Sequence, residues 1–253
     1  MNKSIIDHRI VSSRYFFPRP EQFENPFRVD CGEAQLACYY RQINPDAKTI
    51  VFFHGNGEVV ADYIEFFVPL FDRLGCNSFL AEYRGYGMST GDPGLVSMLA
   101  DVETMINTLG LPPEKLIFFG RSVGSIYAVH GASLFPNAGG LILESGIADV
   151  FERLLLRVSP EELNLTIDAL QIEVEKHFNT KNKLQKYKGS VLVMHAKHDS
   201  LVHFAHGQKL YQWAGAAEES KTLKIFEQGD HNDIFPVNAH EYVRLLDNFV
   251  RTL

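Results

Sequence analysis

Cysteine is scarce in this chain: its 253 residues include three, at Cys31, Cys38 and Cys76. They form neither a C-x-x-C pair nor an even set, which excludes a zinc ribbon and a disulfide framework as expectations. Reduced thiols fit this pattern, and structural disulfides are rare in the cytosol. We therefore expect a cytoplasmic protein.

Long apolar runs are also missing. No stretch approaches the roughly 20 apolar residues that a membrane-spanning helix needs. Residues 1–9 lack the apolar core and small-residue cleavage site of a signal peptide. The sequence predicts neither an integral membrane segment nor a signal peptide.

Positive charge is in deficit, with 24 Lys and Arg against 31 Asp and Glu, a formal net charge of −7. Apart from scattered lysines in residues 181–188 there is no basic block, so we do not expect a nucleic-acid partner. The lysines are typical of a solvated face, and the alternative is that they contact an anionic head group. The default oligomeric state is a monomer.

Apolar residues make up 45% of the chain, enough for one large core in a protein of this length. We expect a single domain over residues 1–253. Two short runs over 27–29 and 35–40, joined by a glycine-containing turn, predict an antiparallel pair.

The rest of the chain alternates apolar runs with helical periodicity, which predicts a βαβ series. Predicted strands cover residues 49–53, 78–81, 116–119, 140–143, 191–194 and 222–226, and predicted helices cover 59–74, 96–109, 125–134, 207–213 and 238–250. Right-handed crossovers make such a sheet mostly parallel. The expected fold is α/β, with about eight strands and helices on both faces.

Residues 147–188 interrupt this series and carry an amphipathic pattern of their own. Apolar residues recur at helical spacing, at Leu163, Ile167, Leu170, Val174 and Phe178. This pattern predicts a short helical lid, and the alternative is an ordinary long crossover helix.

The pentapeptide G-R-S-V-G at residues 120–124 lies between the apolar run 116–119 and a helix-forming stretch. A strand-to-helix context is what a nucleophile elbow requires, with Ser122 at its tip. Glycines on both sides allow the backbone to turn sharply. By itself the motif also fits an ordinary tight loop.

A serine hydroxyl needs a base to remove its proton and a carboxylate to orient that base. Asp199 follows the strand 191–194, and His231 lies on a glycine-containing loop after the strand 222–226. Because the carboxyl ends of parallel strands share one sheet edge, Ser122, Asp199 and His231 are the expected catalytic residues. Glu144, at the end of strand 140–143, is the alternative acid.

Acyl transfer also needs N–H donors for the oxyanion. The backbone amide of Val123 is one candidate, because it opens a helix and has no intrahelical acceptor. The backbone amide of Asn56 is the other, since Gly55 and Gly57 leave room for close approach.

Four histidines fall within twelve residues, at positions His195, His198, His203 and His206. A catalytic metal needs three converging ligands and an open position. Two of these residues belong to a strand and its turn, and two to the following helix, so we expect no metal site. No cofactor is expected either.

Five motifs together resemble the α/β-hydrolase superfamily, in the branch of bud-emergence-type peptidase-like hydrolases and related protein depalmitoylases. They lie at residues 54–57, 82–91, 120–124, 198–202 and 229–233, and the resemblance runs from about residue 28 to the end of the chain. It implies Ser122 as nucleophile, Asp199 as acid, His231 as base, and Asn56 and Val123 as the oxyanion hole. Two positions depart from the pattern of that family: Ala196 stands where glycine is usual, and His203 stands where proline is frequent.

The combined expectation is a serine hydrolase that cleaves carboxylic esters, thioesters or amides through an acyl-serine intermediate. Its partner would be a small acyl ester or an acylated substrate, with ester hydrolysis in solution favoured over depalmitoylation at a membrane. The alternative is a catalytically silent binding or scaffold protein with the same fold. Phe66 and Phe67 indicate either an apolar acyl site or core packing.

Overall fold

The computed structural model describes residues 4–253. Eight strands form one sheet in the order β1-β2-β4-β3-β5-β6-β7-β8. The strands are β1 (Phe27–Asp30), β2 (Gln35–Arg41), β3 (Thr49–Phe53), β4 (Asn77–Ala81), β5 (Leu116–Arg121), β6 (Gly140–Glu144), β7 (Ser190–Ala196) and β8 (Lys221–Phe226). β1–β2 and β2–β4 pair antiparallel, and all other pairs are parallel. The predicted mostly parallel sheet is confirmed.

Ten α-helices connect and cover these strands in the described part of the chain. They are α1 (Arg9–Tyr15), α2 (Ala61–Ile64), α3 (Phe67–Arg73), α4 (Ser97–Leu109), α5 (Gly124–Leu134), α6 (Val150–Leu155), α7 (Ile167–Phe178), α8 (Thr180–Lys186), α9 (Ala205–Trp213) and α10 (Ile234–Arg251). No helix within residues 4–253 is both long and apolar enough to cross a bilayer.

The sheet separates two apolar cores, which explains why its central strands are continuous apolar runs. Phe118 packs into the core under α4 and α5, and its neighbour Phe119 packs into the core under α3 and α10. Successive side chains of a strand point to opposite faces, so a strand covered on both sides must be apolar at every position.

The predicted helix 59–74 is wrong as one element, because the structure divides it into α2 and α3. Pro69 lies in the first turn of α3. Proline has no N–H to donate to the preceding turn, and its ring clashes with the carbonyl four residues earlier. It is therefore tolerated where a helix starts but not inside a longer one.

The closing helix starts four residues earlier than predicted. α10 begins at Ile234 and bends at Asn238, where φ is −115° and ψ is 21°. The amide of Asn238 donates to the carbonyls of Ile234 (2.9 Å) and Gln228 (3.0 Å). These bonds hold the bend against the loop that follows β8.

Residues 147–188 form α6, a 3-10 turn at Pro160–Leu163, α7 and α8. The N-terminal segment, from residue 4 to Phe17, packs beside them. Ser4 donates to Glu173 (2.8 Å), and Arg14 forms an ion pair with Glu162 (2.7 Å). Segment and insertion together stand over the carboxyl edge of the sheet.

Candidate active site

Ser122 lies at the tip of a strained turn between β5 and α5. Its φ is +53°, a left-handed conformation that is uncommon for a residue with a side chain. A Cβ at Gly124 would lie 2.0 Å from the Phe53 carbonyl oxygen, and one at Gly120 would lie 2.5 Å from the Gly124 carbonyl oxygen. Only glycine fits at these two positions, which explains the glycines of the motif.

The structure brings Ser122, His231 and Asp199 together at the sheet edge. The Ser122 Oγ lies 2.9 Å from His231 Nε2, and His231 Nδ1 lies 2.8 Å from Asp199 Oδ2. All three residues are less than 10% exposed. The chain of contacts allows a proton to pass from the serine to a histidine that a carboxylate orients.

Asp199 is held as a carboxylate. Burial opposes its ionisation, but hydrogen bonds from His195 and His231 outweigh burial and lower its pKa well below the ordinary range. Its second oxygen accepts from the backbone N–H groups of Leu201 (3.0 Å) and Val202 (2.7 Å). An ionised, fixed Asp199 keeps the Nδ1 proton on His231.

The structure also places His195 in the site, beside Asp199. In the sequence it stands out only as one of four clustered histidines, and that grouping did not indicate this position. Its Nε2 lies 3.2 Å from Asp199 Oδ2 and 2.8 Å from the Val202 carbonyl oxygen. Both neighbours are acceptors, so Nε2 carries the proton. Within residues 4–253 its buried Nδ1 has no hydrogen-bond partner.

Glu144, the alternative acid, lies in a different network. Its carboxylate pairs with Arg121 Nε (3.1 Å) and accepts a short hydrogen bond from the Tyr242 hydroxyl. Burial raises the pKa of Glu144 above its ordinary value, although the charge of Arg121 acts to lower it. Its backbone carbonyl instead accepts the Ser122 N–H (2.9 Å), which fixes the elbow.

Further contacts connect the three loops that carry Ser122, Asp199 and His231. Arg121 Nη2 donates to the His231 carbonyl oxygen (2.9 Å). The carboxylate of Asp230 accepts from the backbone N–H (2.6 Å) and hydroxyl (2.7 Å) of Ser200. The loops after β5, β7 and β8 are therefore joined by hydrogen bonds.

The two predicted oxyanion donors both line the cavity at Ser122. Among the described residues, neither the Asn56 nor the Val123 backbone N–H has an acceptor. The Asn56 side chain points away to other partners: its oxygen accepts from Phe17 N–H (3.1 Å) and the Tyr86 hydroxyl (2.7 Å), and its amide donates a short bond to Tyr15. These bonds fix the loop while its N–H stays free.

A buried ion pair between His54 and Glu82 holds the start of the loop that carries Asn56. His54 Nε2 lies 2.7 Å from Glu82 Oε1, and His54 Nδ1 donates to the Gly55 carbonyl oxygen at 2.8 Å. Burial disfavours charge on His54, but the charge and hydrogen bond of Glu82 outweigh it and raise the pKa of His54 above its ordinary value. The protonated ring satisfies both acceptors, so the backbone just before Asn56 is fixed.

The cavity at Ser122 has a volume of about 260 Å³. The sequence motifs do not include five of its lining residues: Tyr15, Phe17, Ile147, Arg153 and Arg157. The available signal was the four-residue spacing of the two arginines within the predicted lid, which is the spacing of neighbours on one helix face. In the structure Arg153 lies in α6, and Arg157 lies two residues beyond its end. A larger cavity of about 640 Å³ lies elsewhere, and no histidine lines it.

The predicted apolar acyl site at Phe66 and Phe67 does not line this cavity. Phe67 packs in the core, with ring centroids 5.3 Å from Phe52 and 5.5 Å from Phe235. Phe66 is 69% exposed. Core packing is therefore the correct interpretation for Phe67.

The remaining histidines of the cluster have separate surroundings. His206 accepts from Ala148 N–H (3.1 Å) and donates to Glu152 (3.2 Å), which fixes the start of the insertion. His203 Nδ1 accepts from Ala205 N–H (3.2 Å). Residues 4–253 contain no group of three ligands placed to hold a metal ion.

The sequence model of a protein family described as serine aminopeptidase, S33, matches residues 44–183. Alpha/beta hydrolase domain-containing protein 17C of Xenopus tropicalis is 31% identical over 215 residues, which cover 82% of this chain and 64% of that protein. Human protein 17C is 30% identical over 215 residues, which cover 82% of this chain and 60% of that protein. The chain thus spans less than two thirds of these relatives.

Solved structures show the same fold at low sequence identity. The Pyrococcus furiosus esterase Pf2001 superposes with a TM-score of 0.73 at 17% identity, covering 94% of this chain and 98% of that one. The Paleococcus ferrophilus monoacylglycerol lipase gives a TM-score of 0.65 at 17% identity, covering 85% and 98%. This likeness confirms the predicted α/β-hydrolase fold.

Proposed function

The chain belongs to the serine aminopeptidase family of the α/β-hydrolase superfamily, and we propose that it hydrolyses carboxylic esters through an acyl-Ser122 intermediate. Thioesters and amides are related substrates for the same chemistry. The observation that carries the proposal is the unbroken contact from Ser122 Oγ through His231 to Asp199, with 2.9 Å and 2.8 Å between the bonded atoms.

In the first half of the reaction, His231 Nε2 takes the Ser122 proton as Oγ bonds to the substrate carbonyl carbon. The carbonyl oxygen becomes an oxyanion, which the N–H groups of Asn56 and Val123 bind. The bond to the leaving group then breaks, and the leaving group receives the proton from His231. Ser122 remains acylated.

In the second half, His231 removes a proton from water as the water oxygen attacks the acyl carbon. The second oxyanion forms in the same two-donor hole. Its collapse breaks the bond to Ser122 Oγ, which recovers a proton from His231. One ester and one water thus give one acid and one alcohol, and the protein is unchanged.

We also propose that residues 147–188 act as a lid on a single domain over residues 1–253. Ile147, Arg153 and Arg157 of this segment line the cavity at the nucleophile. The segment therefore forms the outer boundary of the space into which a substrate must fit.

The proposal predicts that Ser122→Ala abolishes both 4-nitrophenyl butyrate turnover and labelling by a fluorophosphonate probe. Both require the Ser122 oxygen as nucleophile. Ser13→Ala is the matched control, because Ser13 is an exposed serine of α1 whose hydroxyl donates to the Ile10 carbonyl. It should keep wild-type labelling and turnover.

Wild-type labelling of Ser122→Ala would overturn the assignment of the nucleophile. A folded wild-type protein that resists the probe and turns over no ester would instead favour the silent scaffold. Circular dichroism on the same samples shows whether the fold is intact.

A further inference from the structure

The cavity at Ser122 has an unbalanced charge. Three arginines line it, at positions 121, 153 and 157, and none of its lining residues is an aspartate or a glutamate. The chain as a whole has the opposite balance, with a formal charge of −7. A positive cavity in a negative protein is a local feature that needs its own explanation.

One of the three arginines is neutralised by the protein itself. Arg121 forms a short ion pair with Glu58 and a second ion pair with Glu144 at 3.1 Å. It also donates to the His231 carbonyl oxygen. Its hydrogen-bonding capacity is used inside the protein, so Arg121 is not the source of the imbalance.

Arg153 and Arg157 have no such partners. Within residues 4–253 neither side chain forms an ion pair with a carboxylate. Two glutamates close to them in sequence are bound elsewhere: Glu152 contacts His206 (3.2 Å), and Glu162 pairs with Arg14 (2.7 Å). Among residues 4–253, these two cavity-lining arginines therefore have no carboxylate paired with their charge.

Both groups lie close to the N-terminal segment. The Arg157 guanidinium stacks over the Phe17 ring, 5.6 Å from its centroid. Both charges also act on the Tyr15 hydroxyl: burial raises the pKa of Tyr15 to about 12, and the two arginines oppose that rise. Arg153 and Arg157 thus both lie beside the N-terminal segment and share one cavity lining with Ser122 and His231.

We infer that Arg153 and Arg157 bind an anionic group of the substrate, a carboxylate or a phosphate, while Ser122 attacks its ester carbonyl. The inference rests on the proposed function. Planar guanidinium groups pair with both anions through two parallel hydrogen bonds. The cavity volume of about 260 Å³ lies below the about 300–1,000 Å³ typical of ligand pockets, so the preferred substrate is compact.

The test compares three esters of nearly equal size: 3-carboxyphenyl butyrate, 3-phosphonophenyl butyrate and the neutral 3-carbamoylphenyl butyrate. The wild-type protein should show a higher kcat/KM for at least one anionic ester than for the neutral one. Which anion is preferred distinguishes carboxylate from phosphate chemistry.

Arg153→Gln and Arg157→Gln should each reduce the ratio of anionic to neutral kcat/KM by about tenfold, the size expected for one lost charge-assisted hydrogen bond. The matched control is Arg73→Gln, which removes the same charge from an exposed position of α3. It should leave the ratio unchanged. A purely structural role for the lid arginines would lower both kcat/KM values together and leave their ratio constant.

An absent preference in the wild-type protein, or an unchanged ratio in both variants, would overturn the inference while leaving ester hydrolysis intact. If no ester is turned over, the proposed function fails. Calorimetric binding of 3-carboxyphenyl and 3-phosphonophenyl butyrate to the Ser122→Ala protein then decides the inference separately. Binding that Arg153→Gln weakens supports it, and absence of binding overturns it.

Lipid vesicles containing phosphatidylserine provide the last arm, since Phe17 and Leu156 are exposed near the same arginines. If Arg153→Gln and Arg157→Gln lose vesicle binding but keep the wild-type ester ratio, the arginines contact a membrane surface instead. That result would overturn the inference.

Discussion

The two walls of the cavity are built differently. The inner wall is the sheet edge, where Ser122, Asp199 and His231 follow parallel strands and are buried. The outer wall comes from the N-terminal segment and residues 147–157, and its Phe17 and Arg157 are exposed. Hydrogen bonds from buried groups fix the first wall, and contacts such as the exposed Arg14–Glu162 pair hold the second.

Under the proposed function, this difference separates the groups that carry out the reaction from those that select the substrate. Catalysis needs reacting atoms fixed within tenths of an ångström, which strand ends and buried hydrogen bonds provide. Selection needs only a surface of suitable charge and shape, and exposed ion pairs with small individual contributions hold such a surface adequately. We expect substitutions in the inner wall to change kcat, and those in the outer wall to change the choice of substrate.

The two walls meet at Asn56. It lines the cavity, where its backbone N–H is the proposed oxyanion donor, and its side chain binds Phe17 N–H and the Tyr86 hydroxyl. The N-terminal segment thus contacts the side chain of a residue whose backbone takes part in the proposed chemistry. Asn56 is therefore the residue at which a change in the outer wall is most able to affect the proposed chemistry.

After loss of the nucleophile itself, the largest effect in the inner wall should come from Asp199→Asn, with kcat reduced about 10⁴-fold. An amide at this position favours the wrong His231 tautomer, so Nε2 no longer accepts the Ser122 proton. Steady-state turnover of 4-nitrophenyl butyrate measures kcat, and thermal melting checks that the fold is retained.

Asp230→Asn is the control for Asp199→Asn. Asp230 joins the same loops by accepting hydrogen bonds from Ser200 and from the backbone N–H of His231 (2.6 Å), and no hydrogen bond links it to the His231 ring. We expect at most about a tenfold decrease in kcat for this variant, the loss of one charged hydrogen bond. Equal losses in both variants would mean that the loops, and not the tautomer of His231, limit the reaction.

A smaller effect should follow from Glu82→Gln, which removes the charge beside His54. His54 in turn contacts the loop that carries Asn56. We expect kcat to fall by about tenfold to a hundredfold, less than the loss of an oxyanion donor itself. KM should change little, and a boronic acid that mimics the tetrahedral state should bind more weakly. Glu103→Gln, at an exposed position of α4, is the control.

A variant Glu82→Gln that melts earlier but keeps wild-type kcat and boronic-acid affinity would show that the His54–Glu82 pair only stabilises the fold. That outcome would remove the pair from the inner wall. It would leave the roles proposed for Ser122 and His231 unaffected.

The sequence predicts the inner wall well because its signals are local and its topology is constrained. Parallel strands that are buried on both faces are continuous apolar runs, and their carboxyl ends share one edge. Gly120 and Gly124 mark the elbow, since no larger residue fits there. Order along the chain then suggests Asp199 and His231 as partners of Ser122.

The outer wall is less predictable for a physical reason. α1 has seven residues and α6 has six, too few turns for a clear apolar periodicity. Their positions depend on distant contacts, such as Ser4 with Glu173 and His206 with Glu152. The same limit applies to His195, whose role beside Asp199 depends on where β7 and its turn place it.

The most direct test of the account is the mass of the protein during turnover. The reaction with excess 4-nitrophenyl butyrate is quenched rapidly during turnover. We then expect a mass increase of one butyryl group, located by peptide mapping on Ser122 and absent from Ser122→Ala. Turnover by the wild-type protein with the butyryl group on another residue, or undiminished turnover by Ser122→Ala, would contradict an acyl-Ser122 mechanism.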